Sequence, residues 1–294
     1  MAAYTTYDQV GLAESVEDVI HDITPTDCPF YSLIKNEKVN ARTFEWIEDS
    51  LSAAADNAQL EGFTATDGTL TTPSTRSNTT QIMTKVFNVT ATADAVKTYG
   101  RAKETAYQLG KALKEIKRDY ERAMIGVDNA AVTGNGSTAR EMASVSQQIS
   151  TTVDAGSGST DPLTEAKLLE LGQDCYDNGS DPSILMIKPA DATIVAGFAA
   201  ASGRNREFAQ SRELVNVIDL YVSPFGEYRV VLNRHQLSTN AFLIDPSMFR
   251  TVSLRPFTRT LLAKQGDSDR HMVTGEVSVK HSNFADSGMI TGLS

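Results

Sequence analysis

Metal binding is the first chemistry to look for in this chain, because it contains histidines, cysteines and one acidic turn. The four histidines are scattered, without the H-E-x-x-H spacing or the neighbouring cysteine pair that would hold zinc. The turn at 266–272, GDSDRHM, begins like a calcium loop, but Met272 and Ser278 stand where such a loop requires a glycine and a bidentate glutamate. Cys28 and Cys175 lie far apart, which predicts free thiols in a reducing compartment. We expect no metal and no cofactor.

Catalysis and phosphate binding are not indicated either. The nearest glycine-rich segment, TGNGSTAR, lacks the lysine and the spacing of a phosphate-binding loop, and no G-x-S-x-G motif is present. Three neighbouring arginines, Arg204, Arg206 and Arg212, could bind a phosphate or a carboxylate. Glu207 and Glu213 lie among them, however, and favour a solvated loop whose charges pair locally. We therefore predict that the protein is not an enzyme.

The composition of the 294 residues sets further bounds. With 40% hydrophobic residues, the chain can form a substantial core in two lobes. No apolar run approaches the roughly 20 residues of a membrane span, and the first residues lack the basic start and apolar segment of a secretory signal. The net charge of −10 disfavours general affinity for nucleic acid, which depends on clustered lysine and arginine.

The chain is organised around a long helix, predicted from Arg101 to about Val127. Its apolar residues recur at steps of three and four on one narrow stripe, and charged residues fill the other sides. Such a helix would be roughly 40 Å long. It suits a spine with a sheet on one side and solvent or a neighbouring subunit on the other. The apolar positions are Ala102, Ala106, Leu109, Leu113, Ile116, Tyr120, Ala123 or Met124, and Val127.

Two arms precede this helix, and the first is N-terminal. Ser15 and Asp18 resemble a capping box for a short amphipathic helix that carries apolar residues over 16–23. After a turn, Asp27 is predicted to be the N-cap of a second short helix, whose large apolar residues include Phe30. These side chains have little core of their own, so we expect them to dock on the main body or on a neighbouring subunit.

The second arm is an extended hairpin. FEWIEDSL (44–51) and IMTKVFNVTATA (82–93) are predicted strands, and Trp46 is predicted to be a packing anchor. The tract between them, about 53–81, is too polar to fold alone. An arm with so little core must lie on another surface, most economically on an adjacent copy of the protein. The only large apolar residues of the tract over about 53–81 are Leu60, Phe63 and Leu70.

From about 162 to 246 the pattern is helix, strand, helix and three strands, which predicts a compact α/β lobe. Its first helix is expected to open at Asp161–Pro162 and to close at Asn178–Gly179. The tail contains further strands, at 258–264 and 271–282. We expect these to return to the sheet beside the long helix, which makes the α/β lobe an insertion.

This order of parts resembles that of the major capsid proteins of tailed bacteriophages. The segments that carry the resemblance are VEDVIHDITPTDCPFYSLI, FEWIEDSLSAA and NAQLEGF. The sequence likeness covers the first 130 residues, and beyond 162 it is a likeness of architecture. It implies an α+β fold of the Hong Kong 97-like capsid type. The implied parts are an N-terminal arm (1–40), an E-loop hairpin (41–92), a discontinuous P-domain of spine helix and antiparallel sheet (93–161 and 247–294), and an inserted α/β A-domain (162–246).

The resemblance implies a structural protein that assembles with itself into hexamers and pentamers, which form the icosahedral head shell around phage double-stranded DNA without sequence-specific binding. The E-loop would lie over the adjacent subunit, and 202–212 would lie at the capsomer centre. Other implied partners are a separate scaffolding protein, a portal and a decoration protein, with no membrane. The implied location is the virion, after assembly in the host bacterial cytoplasm. Some relatives cross-link their shells through an E-loop lysine, but no lysine lies between Asp49 and Gln81, so we predict no such bond.

Two other classes of protein stay open at this point. An encapsulin-type compartment shares the fold and would enclose an enzyme cargo instead of a genome. A phage tail or surface adhesin component would need export or a trimeric fibre, and neither a signal nor a fibre repeat is visible. For a shell subunit, the candidate interface residues are Phe30, Trp46, Leu60, Phe63, Leu70, Arg76, Arg204, Arg206 and Arg212.

Overall fold

The computed structural model describes residues 27–294 with the exception of 53, 66, 69, 71, 97–102, 157–160, 202–219 and 265, so the helix predicted over 16–23 lies outside the described residues. The helices are α1 (Pro29–Leu33), α2 (Ala91–Ala95), α3 (Glu104–Ile125), α4 (Glu165–Asp177) and α5 (Ala192–Ala201). The strands are β1 (Lys35–Lys38), β2 (Thr43–Glu48), β3 (Ser74–Thr79), β4 (Gln81–Thr90), β5 (Thr151–Asp154), β6 (Ile184–Ile187), β7 (Leu220–Ser223), β8 (Gly226–Leu232), β9 (Ala241–Ile244), β10 (Phe249–Leu261), β11 (Ser268–His281) and β12 (Gly288–Thr291).

The predicted long helix is α3, which has 22 residues. Ile116, Tyr120 and Met124 are buried, as the periodic stripe predicted. The prediction is wrong for Leu113, whose side chain is 45% exposed, because the apolar contact surface of this helix is narrower than the stripe. The helix ends as the chain turns at Gly126, where a Cβ would collide with the backbone oxygen of His235.

A four-stranded sheet, in the order β1-β10-β11-β4, packs against α3. β10 is antiparallel to β11, β11 is antiparallel to β4, and β1 is parallel to β10. The alternation of side chains along β4 buries Met83 and Val89. Lys85 lies between them on the same face of the strand and forms a 2.7 Å ion pair with Asp119 of α3. The prediction that the tail strands return to the sheet beside the long helix is confirmed.

A six-stranded sheet, in the order β5-β12-β9-β6-β8-β7, forms a second core with α4 and α5. Helix α4 begins at Glu165 and not at the predicted Asp161–Pro162, because the Thr164 hydroxyl accepts a hydrogen bond from the backbone N–H of Lys167 and caps the helix there. The predicted end at Asn178–Gly179 is confirmed, and Gly179 adopts a φ of +81°, which favours glycine.

The two sheets divide the chain differently from the predicted domain bounds. Strands β5 and β12 fall within the bounds given to the P-domain, yet both belong to the six-stranded sheet. They pair in parallel with Ile290 opposite Val153, and both side chains are buried in the core beside α4. Burial of these apolar side chains places one face of the two strands in the second core, while Met289 on the other face of β12 joins the core beside α3. The named domains themselves stay predictions.

The N-terminal arm docks on the main body through α1, which was the first of the two predicted alternatives. Phe30 is buried, and its ring lies edge-on to that of Phe249 at a centroid distance of 5.5 Å. The prediction of Asp27 as the N-cap is wrong, because the N-cap position of α1 belongs to Cys28. The hydrogen bonds that a capping side chain would provide come from another helix.

Glu121 of α3 caps α1. Its carboxylate accepts hydrogen bonds of 2.8 Å from the backbone N–H groups of Phe30 and Tyr31. The side-chain amide of Asn233, which follows β8, donates a third hydrogen bond of 2.7 Å. Glu121 is fully buried, and burial raises its pKa even though the three donors act in the opposite direction. One carboxylate therefore connects the N-terminal arm, the long helix and the α/β lobe.

We predict that Glu121→Gln lowers the free energy of unfolding by about 1–3 kcal/mol. The new amide presents an NH₂ group toward at least one backbone N–H, so a buried donor loses its acceptor. Urea unfolding of the unassembled subunit at pH 7 measures the change. Glu115→Gln is the matched control on the same helix, since Glu115 is partly exposed and lies 3.9 Å from Lys85. It should change stability by less than about 0.5 kcal/mol, and equal effects of the two substitutions would contradict the capping role.

Candidate subunit interface

Among the residues that the structure describes, the least covered segment lies between β2 and β3, at 49–73, and it is called the arm below. Its described residues form neither helix nor strand, and all of them are exposed. Leu60, Phe63 and Leu70 are 85%, 58% and 93% exposed. Large apolar side chains exposed together on one segment are typical of a surface that another molecule covers.

Two strands hold the base of the arm. Strands β2 and β3 are antiparallel, with Trp46 opposite Arg76. Trp46 is buried, and its ring lies 5.7 Å from that of Phe44 and 6.1 Å from that of Phe284. The guanidinium of Arg76 lies 4.6 Å from the centre of the Phe284 ring and donates a 2.6 Å hydrogen bond to Glu48. The predicted role of Trp46 as a packing anchor is confirmed, and these contacts lie within one subunit.

The aromatic contacts continue from the base of the arm into the body of the subunit, and we call the series Trp46, Phe284, His281, Phe249 and Phe30 the aromatic stack. The ring of His281 lies 4.1 Å from that of Phe249 at an interplanar angle of 3°, and 5.9 Å from that of Phe284 at 12°. Phe249 in turn contacts Phe30 of α1. The stack packs the base of the arm, the four-stranded sheet and α1 together.

His281 is the one polar member of the aromatic stack, and it is fully buried. Its Nδ1 lies 2.9 Å from the backbone oxygen of Gln148, which can only accept, so Nδ1 carries the proton. Its Nε2 is also buried and has no hydrogen-bond partner in the part of the chain that the structure describes. Burial lowers the pKa of His281 to about 4, against the opposing effect of the Gln148 carbonyl. The imidazole is therefore neutral at pH 7.

Asn78, at the end of β3, fixes the base of the arm by buried polar contacts. Its side-chain amide donates a 2.7 Å hydrogen bond to the backbone oxygen of Val279 on β11. Its side-chain oxygen accepts a 2.8 Å hydrogen bond from the backbone N–H of Ala143. Asn78 is 1% exposed, so these bonds are shielded from competition with water.

Glu276 forms a second polar anchor where β3 passes into β4. Its carboxylate accepts hydrogen bonds of 2.8 Å from the Thr80 hydroxyl, 2.5 Å from Arg140 and 3.0 Å from Arg255. Burial alone would raise the pKa of Glu276, but the Thr80 hydroxyl and the two guanidinium groups outweigh burial and lower it. The arm therefore leaves the body of the subunit from a base whose position is fixed on both sides.

The structure separates the predicted interface residues into three groups. Those on the arm are exposed and form the candidate interface. Those at the base of the arm or in the core have their contacts within the subunit, and they are Phe30, Trp46 and Arg76. Those on the predicted capsomer-centre loop lie outside the described residues, and they are Arg204, Arg206 and Arg212.

The sequence did not indicate the residues that fix the base of the arm. Phe284 and His281 lie more than 230 positions after Trp46 in the sequence, and no periodicity connects them to the hairpin. Phe284 stands in a polar, turn-like segment, HSNFADSG. A large aromatic residue isolated in such a segment is the one available signal that it packs elsewhere.

No group of three or more His, Cys, Asp and Glu side chains within the described ranges could hold a metal ion. Cys28 and Cys175 are buried thiols. Burial raises the pKa of Cys28 and raises that of Cys175 to about 11, so both are poor nucleophiles. Of the described helices, none has the length and hydrophobicity that spanning a membrane would require.

The comparisons with known proteins agree with the fold. The family described as SU10 major capsid protein matches residues 2–294. The major capsid protein of Escherichia phage Phieco32 is 28% identical over 337 aligned positions, which cover 98% of this chain and 96% of that protein. The capsid of cyanophage A-1(L) is similar in structure at 12% identity, with a TM-score of 0.71 and 98% of each chain covered.

Two further solved structures share the fold. The capsid of the native GTA particle has a TM-score of 0.68 at 12% identity, with 98% of each chain covered. The SrpI encapsulin of Synechococcus elongatus PCC 7942 has a TM-score of 0.65 at 10% identity, covering 100% of this chain and 96% of that one. The predicted fold class, the Hong Kong 97-like capsid fold, is confirmed.

We predict that His281→Phe reduces the acid sensitivity of the subunit. The folded state holds this imidazole neutral, with a pKa of about 4 against an ordinary 6.5, so the unfolded chain binds a proton that the folded subunit does not. Wild-type stability should therefore fall as the pH is lowered from 6.5 toward 4, by up to about 3 kcal/mol from this group. Phenylalanine keeps the aromatic contacts and removes the titration.

Urea unfolding of both proteins between pH 7 and 4.5 tests this prediction. Burial beside Asp245 and Asp181 raises the pKa of Asp286 to about 6, which stabilises the fold as the pH falls, but that titration is common to the two proteins. The difference between the two pH profiles therefore isolates His281. Parallel profiles would contradict the prediction.

Proposed function

The chain belongs to the SU10 major capsid protein family, and on this basis we propose that its copies assemble into hexamers and pentamers that close into an icosahedral head shell around phage double-stranded DNA. It is a phage major capsid protein, so its place is the virion and its first partner is itself. The observation that carries the proposed assembly is the arm, whose large apolar side chains are mostly exposed within the part of the subunit that the structure describes.

The arm supports assembly because of what burial of its side chains would contribute. Leu60, Phe63 and Leu70 are each more than half exposed, and full burial of such a side chain contributes about 1.5–3 kcal/mol. Each arm would cover the next subunit, and each subunit would be covered by the arm of the previous one. Such head-to-tail contacts can close into a ring. A fixed base is what such an arm requires, since its direction then sets the position of the neighbour.

We assign the parts of the shell subunit accordingly. The hairpin over 41–92 is the E-loop, and its arm lies on the adjacent subunit. The P-domain is α3 with the four-stranded sheet, and the A-domain is the six-stranded sheet with α4 and α5. Residues 202–212 belong at the capsomer centre. β5 and β12 then belong to the A-domain, so that it begins before residue 162 and also includes a strand more than 40 positions beyond 246, after β10 and β11.

The remaining parts of the proposal concern what the shell encloses and what helps it form. The net charge of −10 supports a wall that encloses DNA without sequence-specific binding and without adhering to it during packaging. The absence of lysine from 49–81 supports a shell without E-loop cross-links. We propose a structural role without catalysis or cofactor, assembly in the host cytoplasm, and a separate scaffolding protein, portal and decoration protein as partners.

The alternative is a cargo-enclosing compartment, which the likeness to the SrpI encapsulin favours. That likeness is one of fold alone, at 10% identity. The family match and the 28% identical relative both concern phage capsid proteins. We therefore prefer the phage head. The proposed adhesin or tail component has no comparable support.

Electron microscopy and sedimentation of the chain, produced with the other head proteins of its phage, test the proposed function. Closed shells with sixfold and fivefold capsomers that contain DNA are the expected result. Shells that enclose an enzyme and no DNA would favour the compartment. A chain that stays monomeric in the presence of the scaffolding protein would overturn the proposal.

We predict that the triple substitution Leu60→Ser, Phe63→Ser and Leu70→Ser lowers the yield of closed shells at least about tenfold, because the arm loses several kcal/mol of apolar burial at each contact. The thermal stability of the unassembled subunit should not change, since these side chains are exposed there. Shell yield is counted by electron microscopy, and stability is followed by circular dichroism.

The conservative triple substitution Leu60→Met, Phe63→Leu and Leu70→Met is the matched control. It keeps the arm apolar and should form shells near the wild-type yield. Normal assembly of the serine variant would contradict the role of the arm. Equal loss in both variants would mean that the shape of these side chains, and not their burial, determines assembly.

A further inference from the structure

One face of α3 is strongly basic although the chain as a whole carries a net charge of −10. At 3.6 residues per turn, seven positions from 103 to 118 fall within a sector of about 120°. Five of them are cationic, none is acidic, and the other two are Tyr107 and Gly110. We call the five cations the basic stripe, and they are Lys103, Lys111, Lys114, Lys117 and Arg118.

Within the described residues the basic stripe is compensated mainly at its end, where the charge of Lys117 acts on the Glu121 carboxylate. Lys103, Lys111 and Lys114 are exposed. Lys111 lies 4.0 Å from Glu115, at the limit of an ion pair. Asp119 of α3 forms a 2.7 Å ion pair with Lys85 of β4, and Glu115 lies 3.9 Å from the same lysine. A row of like charges along one helix face is unfavourable unless an anionic group compensates it.

The segment that precedes Asp27 has the opposite charge. The first 34 residues contain six Asp and Glu residues and no Lys or Arg. Four of these acids recur at steps of three and four, which would place them on one face of a helix. We call residues 14–22 the acidic segment, and its acids are Glu14, Glu17, Asp18 and Asp22.

The described chain begins at Asp27, next to the end of the basic stripe. The chain enters α1 at the end of the stripe, where Glu121 caps α1 and the Lys117 ammonium lies 5.2 Å from the centre of the Tyr31 ring. The charges of Lys117 and Arg118 also act on the Cys28 thiol. Since the acidic segment ends at Asp22, five residues before Asp27, it is close enough in sequence to reach back along the stripe, which is about 22 Å long from Arg118 to Lys103.

We infer that the acidic segment docks on the basic stripe of its own subunit and pairs its carboxylates with the five cations. The tether gives the segment a high effective concentration at the stripe, which a free anion does not have. A DNA duplex would have to displace it and would also meet the repulsion of a net negative subunit. Docking would thus neutralise a continuous basic surface that could otherwise bind nucleic acid. The inference concerns a single subunit and does not depend on shell formation.

Hydrogen exchange of peptides that cover residues 14–22, measured on the full-length chain at low protein concentration, tests the inference. The wild type should show protection that falls as salt is raised from 0.05 M to 1 M, because screening weakens contacts between exposed charges. The double variant Lys111→Glu and Lys114→Glu should exchange about tenfold faster over this segment. Exchange in β10 and β11 reports whether each variant is folded.

The double variant Lys38→Glu and Lys264→Glu is the matched control, since it makes the same charge change at two lysines outside α3. It should leave exchange of the acidic segment unchanged. Adding Glu14→Lys and Glu17→Lys to the stripe variant reverses both partners and should restore protection. The salt series on the wild type remains decisive if a variant does not fold.

Three results would overturn the inference. The first is a wild-type acidic segment that exchanges as fast as an unstructured peptide at low salt. The second is protection that disappears on dilution, which would mean that a neighbouring copy supplies the segment. The third is a stripe variant that keeps wild-type exchange in the segment while losing affinity for a 20-base-pair DNA duplex, which would make the stripe a nucleic-acid surface.

Discussion

A carboxylate buried in a protein must be surrounded by donors, and this constraint at Glu121 holds three parts of the subunit together. The side chain lies in the long helix, yet its hydrogen bonds go to the backbone of α1 and to Asn233 beyond β8. Removing any one of these parts would leave buried polar groups without partners. The free-energy cost of that loss is much larger than the stabilisation that an exposed ion pair contributes. Together with the contact between Phe30 and Phe249, the Glu121 carboxylate holds α1 in place against both cores.

In the arm over 49–73, by contrast, the described side chains are exposed and only the base is held in place. The arm has no core of its own, but its base is fixed by contacts between segments far apart in the sequence. The aromatic stack runs from Trp46 through the tail to Phe30, and the polar anchors at Asn78 and Glu276 hold the passage from β3 to β4. The proposed shell would use both properties, because the exposed side chains would provide adhesion while the rigid base would determine where the next subunit sits.

The spacing of apolar residues predicted those elements that pack against a single neighbouring layer. Ile116 and Tyr120 on α3, which face the four-stranded sheet, are examples. The sequence could also place Leu60, Phe63 and Leu70 outside any local core, since no other apolar residues surround them. It could not predict that Glu121, and not Asp27, caps α1, because that cap comes from more than 90 positions away. It also could not assign β5 and β12 to their sheet, since short apolar strands fit either core.

The position of β12 has a consequence for how the chain folds during synthesis. Residues 288–291 occupy an interior position in the six-stranded sheet, between β5 and β9. Until the ribosome has delivered them, β5 has no link to the rest of that sheet and the core beneath α4 stays open. The pairing of β12 with β5 spans more than 130 positions, a separation typical of slow folding steps. The subunit therefore cannot complete its second core early, and an incomplete chain exposes apolar surface that chaperones recognise.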